Sequence, residues 1–301
     1  TSMRVGIIGA GSIGLLFAAY LSRVFDVTVY TRSKEQAAEI NQHNVLLQSG
    51  TEETIAKVKA LPIADWQGSD ALTIIAVKQY QLFSIIERLS QLPSMPENIL
   101  FLQNGMGHLK LLDDINTSNL FVGSVEHGAL KENPYTVRHN GIGTTNVAVY
   151  KGDPGFLKMF VSAVSNVFPI TFHEEYFAMM EKKLIANAMI NPLTAILQVN
   201  NGALIDNPFY YKVLQNLFSE ITSVLNLEHP EEYWQHVIKI CKKTRDNRSS
   251  MLKDIEAKRL TEVDAILGYL LEEANKQGKK LPQLETLYYL IKGIESQGVV
   301  I

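Results

Sequence analysis

Three groups of residues in this 301-residue sequence have the types and spacing that chemistry requires. The first is Gly9-Ala10-Gly11-Ser12-Ile13-Gly14, set between a strand-like run, Arg4 to Ile8, and a helix-like run, Ser12 to Arg23. In that context the first glycine permits a tight turn, the second lets backbone approach a pyrophosphate, and the third lets helix pack on strand. The helix N-terminus then holds the anion, and dinucleotide binding is expected. About 20 residues further on, NAD-binding chains carry an acid for the ribose 2′-hydroxyl. Here Tyr30-Thr31-Arg32-Ser33-Lys34 offers no carboxylate, and Asp26 precedes the strand, at the opposite end from the ligand crevice. A guanidinium at Arg32 can make a forked contact with a 2′-phosphate, so NADP is expected over NAD. The alternative is that Arg32 and Lys34 only open the next helix in solvent.

Lys78 and Asn104 form the second group. Each follows a strand-like run, in Ala76-Val77-Lys78 and Gln103-Asn104-Gly105-Met106-Gly107, and ligands of open α/β sheets lie at such carboxyl ends. Lys78 would add positive charge near a cofactor, and Asn104 an amide that both donates and accepts. A surface lysine and a turn asparagine are the plainer readings. The third group is Lys183, Asn187 and Asn191, at i, i+4 and i+8 on one face of a helix otherwise rich in Leu184, Ile185, Ala188, Met189 and Ile190. The stripe suits a polar small molecule, although an exposed amphipathic face is the commoner origin of such a pattern. Pro192 should bend the helix or open its ladder. Ser249-Ser250 reads as a turn, and Glu262 as a first-turn acid favoured by the helix dipole, with Thr261 and Asp264 making a capping-box-like pair.

The elements that must position these groups fall into two halves. Up to about residue 172, β-branched runs (Arg4 to Ile8, Val27 to Tyr30, Ala71 to Val77, Asn98 to Leu102, Leu120 to Val125) alternate with helical segments, the pattern of a doubly wound parallel sheet. Val45 to Leu61 and Val137 to Tyr150 break that rhythm and are expected as antiparallel edge additions. After Phe172 helical periodicity takes over, in Glu174 to Gln198, Pro208 to Leu227, Glu231 to Lys243 and Glu262 to Lys276, the last closed by Gly278. The expectation is an α/β Rossmann-type domain over residues 1–172 followed by an all-α domain over residues 173–301.

Composition narrows the function classes. Hydrophobic residues make up 46% and charged residues 20%, as in a globular chain. With 28 basic against 31 acidic residues the formal charge is −3, which gives no footprint for nucleic acid or an anionic membrane. No apolar run approaches the roughly 20 residues that span a bilayer. Glycines interrupt the apolar run after Arg4, so it is not expected to be a signal peptide, and Thr1-Ser2 before Met3 is set aside as an appended pair. The single Cys241 and the absence of zinc spacing fit a reducing, cytoplasmic compartment and no metal.

Taken together, Asn104-Gly105-Met106-Gly107, Asn191-Pro192-Leu193-Thr194-Ala195 and Ser249-Ser250-Met251-Leu252 with Thr261-Glu262 downstream resemble the 2-dehydropantoate 2-reductase (ketopantoate reductase) family over nearly the whole chain. The resemblance implies NADPH-dependent reduction of the 2-keto group of 2-dehydropantoate to (R)-pantoate. It implies Lys183 as proton donor, and Asn187, Asn191, Asn201 and Ser250 as substrate contacts. It places Gly9, Ala10, Gly11, Ser12, Ile13, Gly14, Arg32, Lys78 and Ala129 on the cofactor, Asn104 on cofactor and substrate, and Glu262 at the reacting end, against its reading as a dipole residue. Gln103 and Met180-Glu181-Lys182 depart from family preferences, and His127 matches a family position without an assigned role. Other readings are a different NADP-dependent 2-keto acid reductase of the same architecture, or a non-catalytic NADP sensor. Either a monomer or a homodimer fits.

Overall fold

The computed structural model describes residues 2–298; Thr1, and residues 299–301 of the expected helical domain, lie outside the described residues. The chain forms two compact units, Thr1–Gln103 with His108–Met179, and Asn104–Gly107 with Met180–Ile301.

In the first unit the elements are β1 (Arg4–Ile8), α1 (Ser12–Leu21), β2 (Asp26–Thr31), α2 (Lys34–His43), β3 (Val45–Ser49), β4 (Glu52–Ala56), β5 (Lys59–Pro62), β6 (Leu72–Ile75), α3 (Gln79–Leu89), β7 (Asn98–Phe101), α4 (Leu109–Leu112), β8 (Asn119–Val125), β9 (Gly128–Asn133), β10 (Thr136–Gly141), β11 (Thr145–Lys151), α5 (Gly155–Ala163) and β12 (Ile170–His173). The main sheet runs β12-β11-β8-β7-β6-β1-β2-β5, parallel except where β11 meets β8. Strand order reverses beside β1, whose neighbours are β2 and β6, so the carboxyl end of β1 is the switch point at which such sheets bind ligands. Val5, Ile7 and Ile8 are buried, as a central strand covered on both faces demands.

The expected edge additions are corrected. Lys59–Pro62 does extend the main sheet, but parallel to β2, and β11 is antiparallel yet interior, since β12 lies outside it. The remaining segments build a second sheet, β4-β3-β10-β9. The cause lies in α1. Its sequence is apolar all round, every residue from Gly14 to Ala19 is buried, and a helix of that kind needs cover on both sides. The main sheet covers one face of α1, and the second sheet packs against the helix through β3, β9 and β10. Tyr20 of α1 fastens this layer. Its hydroxyl lies 2.7 Å from His139 Nδ1, and His139 Nε2 lies 2.9 Å from His127 Nδ1, which also accepts the Gly143 amide at 3.1 Å. Because that amide can only donate, His139 donates through Nε2 and accepts the Tyr20 hydroxyl at Nδ1. Burial pushes His127 down to about 4 and lowers His139 as well, which favours the neutral rings that this pattern of bonds needs. His127, unassigned from sequence, thus has a structural place. His108, ahead of α4, is fully buried, and neither ring nitrogen has a hydrogen-bond partner among the described residues.

The second unit is helical: α6 (Tyr176–Leu197, entering it at Met180), α7 (Ala203–Asp206), α8 (Pro208–Val224), α9 (Pro230–Lys243), α10 (Ser250–Glu256), a π-helical turn at Asp264–Gly268, α11 (Tyr269–Lys276) and α12 (Pro282–Gly298). Asn207 caps α8 by accepting from Phe209 N at 2.9 Å, with Pro208 at the first position, where a missing N–H costs nothing. Gly278, at φ +66°, ends α11 as expected. Helix α6 runs on through Pro192, whose missing N–H opens one rung of its ladder. One local expectation fails: Ser249-Ser250 is a helix start rather than a turn, Ser249 Oγ accepting Leu252 N at 3.2 Å. Among the described residues no helix is long and apolar enough to cross a membrane.

Candidate functional site

In the first unit the glycine loop has the geometry its sequence asks for. Gly9 has φ +107°, and a Cβ there would stand 2.9 Å from the Ala76 carbonyl oxygen. At Gly14 a Cβ would fall 1.8 Å from the carbonyl oxygen of Gly9, so only glycine lets the helix meet the turn. Gly11 differs: nothing lies within 4 Å of the position its Cβ would take, and the residue is exposed. The open space in front of Gly11 faces the start of α1, which no side chain caps and which carries no acid in its first turn. Such a helix end stabilises an anion, so the loop fits a pyrophosphate.

Arg32 and Lys78 belong to the same end of the sheet. Arg32 is exposed and directly follows β2, while Lys78 is exposed and stands three residues beyond β6, at the start of α3. Gln36 Nε2 donates to the Ala10 carbonyl at 2.9 Å, which ties the start of α2 to the glycine loop. Gln103 is buried and gives its amide to the carbonyls of Val77 (2.8 Å) and Ile75 (3.2 Å), so this departure from the family preference fixes the chain that leads into Lys78. Ala129 lies on β9 of the second sheet, opposite His139.

The second unit brings together residues far apart in sequence. Asn104 Nδ2 donates to Glu262 Oε2 at 2.7 Å. Gly105 makes this reach possible: at φ +74° its backbone passes so close to the π-helical turn that a Cβ would lie 2.3 Å from the Ala265 carbonyl oxygen. That carbonyl accepts Met106 N at 3.3 Å. The expected Thr261–Asp264 capping pair is not formed. Thr261 Oγ1 accepts Val263 N at 3.2 Å, whereas the Asp264 carboxylate takes the Tyr288 hydroxyl at 2.6 Å and Lys292 Nζ at 3.1 Å. Partners on α12 outcompete the local pair, and Glu262 is left to face Asn104.

Along α6, Lys183 and Asn187 are half-buried and Asn191 is buried, while neighbouring Lys182 is exposed. The stripe is therefore no solvated face. Asn191 Nδ2 lies 3.5 Å from Ser250 Oγ, a long contact that joins the stripe to the start of α10. Thr194, fully buried, strengthens the same junction, its Oγ1 lying 2.7 Å from Ser249 Oγ. Sequence reasoning missed Thr194, although at i+11 from Lys183 it continues the stripe. Asn201 is buried, its backbone N–H donating to the Asn247 carbonyl at 3.0 Å and its amide to Thr244 Oγ1 at 2.9 Å, and its own Oδ1 has no partner among the described residues. Glu181 is buried; burial pushes its carboxyl up, and the Tyr233 hydroxyl donates to it at 3.4 Å. Among the described residues no group of three or more His, Cys, Asp or Glu is arranged to hold a metal ion.

Known proteins carry the same design. Residues 5–152 match the family described as "Ketopantoate reductase PanE/ApbA", and residues 176–295 match "Ketopantoate reductase PanE/ApbA C terminal". The chain is 42% identical to the 2-dehydropantoate 2-reductase of Bacillus subtilis over 295 residues, 97% of this chain and 98% of that one. It is 38% identical to the Listeria monocytogenes protein of the same name over 301 residues, 99% of each chain. A crystal structure of a probable 2-dehydropantoate 2-reductase from Bacillus subtilis superimposes with a TM-score of 0.90 at 42% identity, covering 97% of this chain and 100% of the other. D-mandelate dehydrogenase, solved with NADH and anilino(oxo)acetate, shares the fold at a TM-score of 0.86 and 24% identity over 98% and 99% of the two chains. With matches that run through both units and near-complete coverage of its relatives, this chain belongs to the ketopantoate reductase family.

Proposed function

We propose that the chain reduces 2-dehydropantoate to (R)-pantoate with NADPH, residues 1–172 serving the cofactor and residues 173–301 the substrate. The observation that carries this reading is the 2.7 Å bond from Asn104 to Glu262, which sets an amide and a carboxylate 158 residues apart in the sequence side by side. NADPH, when bound, supplies a hydride to C2 of the keto acid. Gly9, Ala10, Gly11, Ser12, Ile13 and Gly14 present backbone N–H groups and the positive end of α1 to its pyrophosphate. Arg32 pairs with the 2′-phosphate, Lys78 adds positive charge at the same sheet end, and Ala129 takes the remaining cofactor contact that the family resemblance implies. As C2 is reduced, negative charge grows on the ketone oxygen. The Lys183 ammonium stabilises that charge and delivers the proton, and the Glu262 carboxylate favours the charged lysine before the transfer. Asn187, Asn191, Asn201 and Ser250 hold the substrate carboxylate and hydroxyl without adding charge, and Asn104 orients substrate and cofactor together.

The test is loss of NADPH absorbance on addition of a panel of 2-keto acids. A site built around carboxamides and a hydroxyl rejects analogues that lack the matching group, so 2-dehydropantoate should exceed pyruvate in kcat/KM by about a hundredfold or more. Equal values for the two acids would point instead to a general 2-keto acid reductase.

A further inference from the structure

Glu262 lies between two residues that helix α12 holds by hydrogen bonds. Before it, Thr261 is buried and its backbone N–H donates to Glu295 Oε2 at 2.9 Å. After it, Asp264 takes the Tyr288 hydroxyl at 2.6 Å and Lys292 Nζ at 3.1 Å. Tyr288, Lys292 and Glu295 recur at i, i+4 and i+7, so one face of α12 supplies all three contacts. Val263 between these holds, and Ala265, Ile266 and Leu267 just after them, are all buried and anchor the segment. Apolar burial is non-directional and fixes depth better than rotation about the segment axis. Hydrogen bonds fix rotation, and rotation decides whether the carboxylate of Glu262 meets Asn104 at 2.7 Å.

We propose that Glu295 and Tyr288 are positioning residues for the reaction, holding the segment from Thr261 to Asp264 in the one orientation that aims the Glu262 carboxylate at Asn104. The proposal rests on the reading of Glu262 given above. Glu295 is suited to the task because it is itself buried and cannot swing into solvent. Burial pushes its carboxyl up, while the Thr261 N–H and Lys292 draw it back. What Thr261 needs is an acceptor oxygen, which a glutamine also provides.

The experiment is a double-mutant cycle on the full chain, read as kcat for 2-dehydropantoate with saturating NADPH. Glu295→Leu removes the acceptor and should lower kcat about tenfold with KM for NADPH unchanged. Glu295→Gln should restore kcat to within about twofold of the parent. In a Glu262→Ala background, where no carboxylate remains to be aimed, Glu295→Leu should change kcat by less than about twofold. An equal fold-loss in both backgrounds, or none in the parent, overturns the proposal. Parental kcat in Glu262→Ala itself overturns the reading of Glu262 and the proposal with it, whereas loss there combined with full activity of Glu295→Leu overturns the proposal alone. Should circular dichroism show Glu295→Leu unfolded, Tyr288→Phe enters the same cycle. Its hydroxyl is at the surface, and the same coupling to Glu262 is expected at about threefold.

Discussion

Gly11→Ala separates binding from folding more sharply than any other change in the glycine loop. The new methyl group meets no protein atom within 4 Å, and the backbone at Gly11 (φ −83°, ψ −166°) is extended, a conformation alanine adopts freely. Reduced freedom of the unfolded chain stabilises by about 0.4–1 kcal/mol, and the weaker N-cap offsets a similar amount. The melting temperature should therefore move by no more than about 2–4 °C. Binding is another matter, because the methyl fills the space through which backbone approaches the pyrophosphate. Overpacking of about 1–3 kcal/mol corresponds to about 5- to 150-fold weaker NADPH binding. Gly14→Ala is the contrast: its Cβ would lie 1.8 Å from the Gly9 carbonyl oxygen, so the helix must shift and stability itself should fall. Nucleotide fluorescence titration and a thermal melt on both variants make the comparison. Gly11→Ala that binds NADPH within about twofold of the parent, or melts as low as Gly14→Ala, would refute the reasoning.

Arg32→Ala should narrow the preference for NADPH over NADH by about ten- to a hundredfold, the worth of one charge-assisted contact, as measured by the ratio of the two dissociation constants; equal affinities in the parent would sink the assignment. Lys183→Ala should lower kcat by about 10²–10⁴ with NADPH affinity nearly unchanged, while Lys182→Ala, exposed and about 100° away on α6, should cost little. The reverse ranking would put the proton donor elsewhere. His108 is held down to about 4 by burial, against an ordinary value of 6.5. The neutral ring is the folded form, so its stabilisation is complete above pH 6.5 and is lost as pH falls towards 4, by about 3 kcal/mol in all. Urea midpoints of His108→Leu should accordingly fall less steeply through that window than those of the parent, and parallel curves would show that folding does not lower the pKa of the ring.

Periods of two and 3.6 residues made the strands of the main sheet and the long helices readable, because burial on one face imposes those periods locally. The glycine loop was readable for the same reason, its steric demands falling within six residues. The second sheet was less so. Its strands are short and half-exposed, and the informative signal sat in another element, the all-round apolarity of α1. Glu262 marks the other limit. Its neighbours Thr261 and Asp264 offer a capping pair that is reasonable in isolation, and only partners on α12 and an asparagine 158 residues away decide otherwise. Ser249 and Ser250 were misread on similar grounds, since their helix is short and its N-terminus is fixed by Thr194 on α6.

The four residues Asn104 to Gly107 belong to the second unit although the chain on either side of them belongs to the first. Inheritance of the two halves is therefore not modular in the simple sense. A chimera that joins the first 172 residues of this chain to the helical half of a distant relative would carry Asn104 and Gly105 away from the Ala265 carbonyl and the Glu262 carboxylate to which they are fitted. Recombination between family members should succeed only when this tetrapeptide travels with the helices, and natural exchange of the two halves should leave matched pairs at these positions as its trace.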